Sequence, residues 1–368
     1  MTQKKIAIVY DWIDKWGGVE RILLTLHDLF PKADFFTSYV DFTSAKWAEK
    51  LPITTSFIQK LPDFIKKNRV LSAPLYPYAF ESLNFSSYDI VISVSSSFAK
   101  GIVTPGHTTH ISYILTPSRF LWINPKAYLT NRFSQKASKA FKKWDFAAAQ
   151  RSDKVISISK TVEARIKKYY RRNSDVIYPP FDAAYWKNVK FEKAELDNKP
   201  QKFFLLVSRL EPYKNVGLAV ETFNALGDNL VIVGKGSLER QLKQKVKKNI
   251  HFVSDITDGA LASLYSKAEA LIMPQEEDFG YVALEALFFG LPVISFKKGG
   301  ATEILKENET GLFFEEQNVK SLNSAIDRFK KVSIQLKNSA KKHGAESIAK
   351  FDISRFEQAF TKAVYYKN

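Results

Sequence analysis

The 368-residue chain contains no cysteine and only five histidines, and it has no long apolar run. The absence of cysteine excludes disulfides, thiolate zinc sites, iron–sulfur clusters and cysteine nucleophiles, and gives the chain no use for an oxidising compartment. No stretch reaches the roughly 18 apolar residues that span a bilayer, and the opening run Ile6–Tyr10 is too short for a signal peptide. We therefore expect a cytoplasmic protein.

Length and composition favour two globular domains. Domains usually hold about 100–200 residues, so the length of the chain suits two of them. Apolar residues make up 45% of the chain and aromatic residues 14%, a composition that excludes wholesale disorder. Short apolar runs alternate with helical patterns, lapse over the charged segment 188–201 and then resume, which is typical of parallel sheets covered by helices. We expect an α/β protein with two doubly wound Rossmann-like domains facing a cleft. The domains are residues 1–187 and 202–350, joined by the linker 188–201, and a C-terminal helix at 351–368 packs back on the first domain.

Ten short apolar runs are predicted to be strands. They are Ile6–Tyr10, Ile90–Val94, Ile111–Leu115, Val155–Ile158, Val176–Tyr178, Phe203–Val207, Leu230–Val233, His251–Val253, Ala270–Met273 and Pro292–Phe296. Because ligands of open parallel sheets bind at the carboxyl ends of the strands, we expect the chemistry in the loops that follow these runs.

The net charge of +17 is concentrated in the first half of the chain. Residues 1–185 hold 27 Lys and Arg against 15 Asp and Glu, and fourteen of these bases lie between Lys126 and Arg172. Such a surface attracts an anionic partner: a nucleic acid, an acidic membrane leaflet or a phosphorylated substrate. Solvated helix faces are the alternative.

Two loops carry groups suited to a phosphorylated ligand. Gly17 and Gly18 follow the first strand and precede a helix, whose N-terminus favours a phosphate, although the dinucleotide and P-loop fingerprints are absent. Arg209 and Lys214 follow the first strand of the second block, and a guanidinium with an ammonium can grip a diphosphate. An ordinary glycine turn and an exposed basic loop are the alternatives.

A buried carboxylate is predicted farther along the second block. Glu285 stands inside the apolar run Val282–Phe289, and a buried carboxylate needs hydrogen-bond partners. Ribose hydroxyls would suit, and an Arg or Lys of the same domain is the alternative. Three acids at 276–278 and the glycine pair 299–300 flank this run. A cationic, an acidic and a glycine loop at one sheet edge predict a sugar-nucleotide site.

These residues resemble family 4 of the retaining glycosyltransferases, which has the GT-B fold. The family's hallmark E-x-F-G-x-x-x-x-E-A is matched by Glu277, Phe279, Gly280, Glu285 and Ala286. Its R-x-x-x-x-K pattern is matched by Arg209 and Lys214, its G-G-x-E-R pattern by residues 17–21, and its glycine-bearing strand end by residues 232–236. The resemblance extends from the first strand to about Leu312.

The resemblance implies a nucleotide-sugar transferase in which Glu277, Arg209 and Lys214 are catalytic. The two cations would hold the donor diphosphate and stabilise negative charge as the nucleotide leaves, so neither a metal ion nor a cofactor is implied. Glu285 would bind the ribose, and Glu277 would contact the transferred sugar. The further implied donor contacts are Gly17 and Gly18 from the opposite domain, Val253 and Ser254 at the nucleobase, and the backbone of Phe279, Gly280 and Tyr281 at the sugar.

The middle of the first domain resembles bacterial mannosyltransferases of O-antigen and exopolysaccharide assembly. Residues 95–101 and 113–122 correspond to S-H-A-x-A-K-G and Y-C-H-[ST]-P-x-R-[YF]-x-W, but the first histidine is lacking and Leu115 replaces the second. Lys100 and Arg119 are the acceptor-side candidates, Arg119 toward an acceptor phosphate. The resemblance favours mannose from GDP-mannose, with a UDP-sugar as the alternative, and a glycan or lipid-linked acceptor in cell-surface polysaccharide synthesis.

Two further features bear on metals and membranes. His107 and His110 have H-x-x-H spacing, but without cysteine or neighbouring carboxylates we expect no metal ion there. The aromatic stretch from Phe57 to Phe85 is typical of a core or cleft wall. With Lys66, Lys67 and Arg69 beside it, this stretch could also rest on an anionic bilayer, so we expect a protein at the inner face of the plasma membrane.

Three alternative functions remain open. A basic nucleic-acid-binding protein would explain the charge but leaves Glu277 and Glu285 unexplained, and no binding module is recognisable, so we expect no nucleic-acid partner. A catalytically silent sugar-nucleotide-binding subunit would keep Arg209 and Lys214 while losing transfer. A sugar-nucleotide epimerase of the same fold would normally lack this combination of residues.

Overall fold

A computed structural model describes residues 4–129, 132–194 and 200–366. The chain divides into two compact units: unit 1 runs to Pro180 and resumes at Ser354, and unit 2 comprises Phe181–Ile353. Residues 195–199 of the predicted linker and the last two residues of the predicted C-terminal helix lie outside the described residues.

Unit 1 is built on a seven-stranded parallel sheet. Its strands are Ile6–Tyr10 (β1), Asp34–Thr37 (β2), Ile53–Thr55 (β3), Ile90–Ser95 (β4), Thr109–Ile114 (β5), Lys154–Ser157 (β6) and Asp175–Val176 (β7). The strand order is β3-β2-β1-β4-β5-β6-β7. The order reverses between β1 and β4, and such a reversal is the switch point where ligands of open α/β sheets bind.

Unit 2 is built on a six-stranded parallel sheet. Its strands are Phe204–Val207 (β8), Leu230–Val233 (β9), Ile250–Val253 (β10), Leu271–Met273 (β11), Val293–Phe296 (β12) and Gly311–Phe314 (β13). The strand order is β10-β9-β8-β11-β12-β13, the doubly wound Rossmann order. Its switch point therefore lies between β8 and β11.

Sixteen helices are described along the chain. They are Gly18–Leu29 (α1), Asp63–Lys66 (α2), Arg69–Ser72 (α3), Tyr76–Glu81 (α4), Arg119–Trp122 (α5), Pro125–Tyr128 (α6), Arg132–Gln150 (α7), Lys160–Tyr170 (α8), Ala183–Asn188 (α9), Val216–Leu226 (α10), Glu239–Lys243 (α11), Asp258–Lys267 (α12), Tyr281–Phe288 (α13), Ala301–Ile304 (α14), Val319–Ala349 (α15) and Ile353–Tyr365 (α16). Short 3₁₀ turns occur at Lys46–Lys50, Phe57–Lys60, Ala73–Leu75, Ala99–Gly101 and Pro212–Lys214. Across the described part of the chain, every helix is too short or too polar to span a bilayer.

All ten predicted strands are present, each within two residues of its predicted ends. The strands β2, β3 and β13 were not predicted. β2 and β3 hold only two and one apolar residues, so no apolar run marks them, and β3 is an edge strand that is largely only partly buried.

Aromatic packing joins two helices on one face of the unit 1 sheet. The ring of Phe98 stacks on Tyr76 of α4 at a centroid distance of 4.7 Å and lies 5.7 Å from Trp144 of α7. The indole N–H of Trp144 also donates to Glu81 at the end of α4, at 2.9 Å. Helices α4 and α7 are therefore neighbours on this face.

The C-terminal helix α16 packs within unit 1. The rings of Phe356 and Phe360 lie 6.2 and 5.4 Å from the ring of Tyr113 in β5, and Tyr365 lies 6.2 Å from Phe30. Burying such a side chain stabilises a fold by about 1.5–3 kcal/mol, so the helix is firmly attached to this unit.

Candidate functional site

The loops after β8 and β11 meet at the switch point of unit 2. The Nζ of Lys214 donates to Oε1 of Glu277 at 2.5 Å, across 63 residues of sequence. The two side chains are only 14% and 15% exposed. The structure thus joins two of the three predicted catalytic residues directly.

Arg209 is linked to this pair through Tyr213. Its Nη2 donates to the hydroxyl of Tyr213 at 2.5 Å, and its Cζ lies 5.9 Å from the ring centroid. The ammonium of Lys214 lies 5.3 Å from the same centroid. Cations within about 6 Å of an aromatic ring are attracted to its face. Tyr213, which the sequence analysis passed over although it stands between the two cations, therefore keeps them together.

Gln275 is a second residue that the sequence analysis missed. Its Nε2 donates to Oε1 of Glu277 at 2.8 Å, and the residue is 2% exposed. Its Oε1 is buried and has no hydrogen-bond partner among the residues that the structure describes. Its position two residues before Glu277, in the loop after β11, was the available signal.

The glycine pair after β12 supports the loop that carries Glu277. The backbone N–H of Gly300 donates to the carbonyl of Glu277 at 2.8 Å. A Cβ on Gly299 would lie 2.3 Å from that carbonyl oxygen, and a Cβ on Gly300 would lie 2.2 Å from the oxygen of Phe279. Gly299 has a φ of 84°, a region that favours glycine. The pair therefore positions Glu277 by close backbone packing.

Glu285 has a protein partner that the sequence analysis did not anticipate. It is 4% exposed, and its Oε2 accepts a hydrogen bond from the hydroxyl of Tyr265 at 2.7 Å. Tyr265 stacks on Phe289 at a centroid distance of 5.6 Å, which fixes the phenol. The expected partners were a ribose or a basic side chain, and the ribose contact stays a prediction.

The other predicted donor contacts of unit 2 lie at the same carboxyl edge of the sheet. Gly280 precedes α13 in a left-handed conformation with no side chain to cap the helix, Phe279 is buried before it, and Tyr281 begins the helix. Val253 ends β10 and Ser254 follows it.

In unit 1, Asp11 spans the switch point. It directly follows β1, is fully buried, and accepts hydrogen bonds at 2.7 Å from the backbone N–H groups of Ser96, Phe98 and Ala99 after β4. The sequence analysis gave it no role, although an acid directly after a buried strand was the signal. Asp11 therefore fixes the loop that leads to Lys100.

The predicted glycine pair of unit 1 follows the same strand. Gly17 is the residue before α1, with an extended φ of 177°, and Gly18 is the first residue of the helix. Their predicted contact with donor phosphates stays a prediction.

Lys100 lies in the interior of unit 1. Lys100 and Asp145 are each 1% exposed, with Nζ and Oδ1 2.6 Å apart. Asp145 also accepts hydrogen bonds from Ser118 Oγ at 2.7 Å, from Trp122 Nε1 at 2.7 Å and from the hydroxyl of Tyr170 at 2.8 Å. This placement favours a structural role for Lys100 over the predicted contact with an acceptor.

Arg119 occupies a different position from Lys100. It is the half-buried first residue of α5, close after β5, and Leu115 is buried at the end of that strand. The predicted contact of Arg119 with an acceptor phosphate stays a prediction.

The H-x-x-H pair is divided between the surface and the core. Nε2 of the exposed His107 lies 3.2 Å from the carbonyl of Ser86. Burial lowers the pKa of His110 from 6.5 to about 4, and its Nε2 lies 2.8 Å from Ser93 Oγ. Within residues 4–129, 132–194 and 200–366, no three His, Asp or Glu side chains are grouped to hold a metal ion.

Comparisons with known proteins agree with this geometry. Residues 188–346 match the family model for glycosyl transferases group 1. An uncharacterized glycosyltransferase of Methanocaldococcus jannaschii is 27% identical over 184 residues, 49% of this chain and 50% of that protein. The O-antigen chain mannosyltransferase RfbU of Salmonella typhimurium is 29% identical over 199 residues, 50% of this chain and 55% of that protein. This chain thus spans about half the length of these curated relatives.

The similarity to solved structures covers both units. The crystal structure of Anabaena HepE in complex with UDP has a TM-score of 0.71 at 17% identity, over 98% of this chain and 99% of that one. The chain has the GT-B fold. The predicted fold class of two Rossmann-like domains with parallel sheets is confirmed.

Proposed function

We propose that the chain is a retaining glycosyltransferase that moves a hexose from a nucleotide-sugar donor to an acceptor hydroxyl. The observation that carries this proposal is the contact of Lys214 with Glu277 beside Arg209 at the switch point of unit 2. The same segment of sequence matches the group 1 glycosyl transferases, which supports the reaction class.

In the proposed reaction, Arg209 and Lys214 bind the donor diphosphate. The bond between the anomeric carbon and the diphosphate oxygen breaks, and its electron pair stays on the diphosphate. The acceptor oxygen forms the new bond on the same face of the sugar, and its proton passes to the leaving phosphate oxygen, so the configuration is retained. The two cations stabilise the charge that develops on the leaving group. Glu277 contacts the sugar.

No metal ion is part of the proposed reaction, because Arg209 and Lys214 supply the positive charge. We expect EDTA to leave transfer unchanged. Loss of transfer with EDTA and its recovery with a divalent ion would contradict the role proposed for these two residues.

The favoured donor is GDP-mannose. The support is the likeness of residues 95–101 and 113–122 to mannosyltransferase patterns and the similarity to RfbU. A UDP-sugar is the alternative, supported by the similarity to HepE, whose structure contains UDP.

Thermal-shift measurements with GDP, UDP and ADP test the donor class. A ligand at 100 times its Kd stabilises the native state by about 2.7 kcal/mol, so the matching nucleotide raises Tm most. Transfer from the corresponding sugar nucleotide then tests the activity. Nucleotide binding without transfer from any donor would indicate the silent sugar-nucleotide-binding subunit.

We propose further that the acceptor is a glycan or lipid-linked molecule and that unit 1 rests on an anionic bilayer. The support is a row of exposed cations on α7, defined by Arg132, Lys136, Lys139 and Lys143. Their spacing of four, three and four residues puts them on one helix face. None of the four forms an ion pair with a described acidic residue, so the row retains its full charge for an external anion.

A neighbouring apolar surface adds to this support. Its exposed side chains are Phe57, Phe64, Val70, Leu71 and Tyr78. The surface and the cation row belong to neighbouring parts of unit 1, because α4 and α7 pack together around Phe98. Three cations of this stretch are already paired with acids, in the ion pairs Lys66–Asp63, Lys67–Asp41 and Arg69–Asp14. We therefore expect the cations of α7, rather than Lys66, Lys67 and Arg69, to bind the anionic lipid.

Vesicle sedimentation tests the membrane proposal. Binding is expected with anionic lipid, should decrease as salt is raised, and should be absent with neutral lipid. The double variant Lys136→Glu/Lys139→Glu should lose this binding, whereas Lys331→Glu/Lys342→Glu on α15, with the same change of charge, should keep it. Equal binding to both lipids, or equal loss in both variants, would contradict the proposal.

A further inference from the structure

We propose that Gln275 is a positioning residue that holds the carboxylate of Glu277 in place when the donor diphosphate draws Lys214 away from it. This inference deepens the proposed function and rests on it. It concerns one oxygen atom, Oε1 of Glu277, which accepts hydrogen bonds from two side chains on different loops.

The two hydrogen-bond donors differ in how they respond to a diphosphate. Lys214 lies on the loop after β8, carries a positive charge and has three N–H donors, so phosphate oxygens compete with Glu277 for it. Gln275 is neutral and 2% exposed, and a diphosphate has no comparable attraction for an amide. When the sugar nucleotide binds, Lys214 can exchange its hydrogen bond to Glu277 for one to the diphosphate. The 2.8 Å hydrogen bond from Gln275 to Glu277 persists.

The unpaired oxygen of Gln275 supports a functional reason for the side chain. Within the described ranges, the bond to Glu277 is the one hydrogen bond of the amide, and the buried Oε1 has no partner. Leaving a buried acceptor unpaired costs stability, which an apolar side chain of similar size would avoid. An amide at this position is therefore explained by its contact with the carboxylate rather than by packing.

The consequence concerns turnover rather than donor affinity. Glu277 contacts the transferred sugar in the proposed reaction, and a misplaced group lowers the rate of a step that depends on orientation. We expect Gln275→Leu to lower kcat about tenfold or more, with the donor KM and the nucleotide Kd within about twofold of wild type.

A second variant gives a signature that a purely structural residue would not give. In Gln275→Glu, the introduced carboxylate repels Glu277 at neutral pH, but its protonated form can donate to Oε1 as the amide does. The ratio of its kcat to the wild-type kcat should therefore rise as the pH is lowered from 8 to 5.

Gln317→Glu is the matched control. Gln317 donates to the carbonyl of Pro274 at 2.8 Å, so it supports the same loop without contacting Glu277, and the substitution introduces the same charge. Its kcat ratio should change less with pH, because the introduced carboxylate faces a neutral carbonyl and not the charge of Glu277. The inference is overturned if Gln275→Leu turns over like wild type, or if Gln275→Glu and Gln317→Glu have the same pH dependence.

Crystal structures of the wild-type protein and of Gln275→Leu, each with a nucleoside diphosphate bound, test the inference without measuring activity. We expect Lys214 to face the diphosphate and Glu277 to keep its bond to Gln275 in the wild type, and the carboxylate to be displaced in the variant. An undisturbed Lys214–Glu277 pair in the complex would overturn the inference. A wild-type protein that transfers no sugar, yet shows the expected exchange of Lys214, would contradict the proposed function and leave the positioning role supported.

Discussion

The two units contain lysine–carboxylate pairs of nearly equal length in different surroundings. Lys100 and Asp145 of unit 1 are 2.6 Å apart and both 1% exposed, whereas Lys214 and Glu277 of unit 2 are 2.5 Å apart and about 15% exposed. Both lysines entered the sequence analysis as site residues. The two pairs differ in how deeply they are buried. An enclosed lysine must keep its carboxylate partner, whereas a lysine at the edge of a sheet can exchange that partner for an anionic ligand.

The surroundings of the two carboxylates reinforce this difference. Asp145 accepts bonds from Ser118, Trp122 and Tyr170 in addition to Lys100. Burial, with the charge of Asp145 as a further cause, raises the pKa of the Tyr170 hydroxyl well above its usual 10, which keeps this donor protonated. The pair in unit 1 thus belongs to a closed network that stabilises the fold.

Lys100→Met is the strongest test of the comparison. Because it leaves the charge of Asp145 buried without its cation, we expect the free energy of unfolding to fall by about 3–5 kcal/mol. Urea denaturation followed by circular dichroism measures this loss. Lys214→Met is the control and should lower the free energy of unfolding by less, because this pair is partly exposed and Glu277 keeps its hydrogen bond from Gln275. Equal losses in the two variants would remove the distinction between the pairs.

Lys214→Ala has the complementary effect on activity. We expect kcat to fall about 10²–10³-fold, since the variant removes a cation that stabilises charge on the leaving group, while Tm changes little. Arg209→Ala should behave similarly. Steady-state kinetics with the preferred donor measure the effect, and wild-type kcat in both variants would contradict the assignment of the diphosphate site.

Acid sensitivity should also separate the units. Unit 1 holds the buried His110, with a pKa lowered to about 4 by burial, whereas His251 and His343 of unit 2 are not fully buried. Below about pH 6.5 the unfolded state binds a proton on this histidine that the native state excludes. The contribution of His110 to the free energy of unfolding is therefore fully present above that pH, and it falls by up to about 3 kcal/mol as the pH drops to 4. Urea denaturation at several pH values measures this loss, and His110→Gln should abolish it. An NMR titration giving His110 an ordinary pKa would contradict the expectation.

The two glutamates of unit 2 should affect different kinetic steps. Glu285→Ala should weaken nucleotide binding by about 1.5–3 kcal/mol, as expected for a lost charged hydrogen bond to the ribose, whereas Glu277→Ala should mainly lower turnover. Isothermal titration calorimetry and initial rates distinguish the two. Because Tyr265 donates to Glu285, Tyr265→Phe serves as the control that removes the partner and retains the carboxylate. Full activity in both glutamate variants would leave the family resemblance without its main support.

Tyr213→Phe should have the smallest effect. It removes the hydroxyl that accepts a bond from Arg209 but keeps the ring beside both cations. Loss of one such hydrogen bond is worth about 0.5–1.5 kcal/mol, so we expect kcat/KM to fall a few-fold. A loss as large as that of Arg209→Ala would show that the hydroxyl, rather than the ring, organises the cations.

Much of the fold could be predicted because its signals are local. The apolar runs of β1 and β9 were located to the residue, and the predicted site residues Lys214 and Glu277 are in contact with each other. The strands β2 and β3 were not predicted because they hold only two and one apolar residues, too few to form an apolar run.

Many side-chain partners could not be predicted, because they lie on segments far apart in the chain. Lys214 meets Glu277, and Tyr265 meets Glu285, only once separate segments pack together. The neutralisation of Lys67 by Asp41 likewise depends on tertiary contacts.

The sequence by itself determined two α/β blocks and the ends of most strands, because backbone periodicity is a property of contiguous chain. Only the tertiary structure decided which lysine is enclosed and which stays partly exposed. Lys100 and Lys214 are the same residue type and each follows a strand, but the side chain of Lys100 is 1% exposed and that of Lys214 is 14% exposed, so the solvation of the two ammonium groups differs.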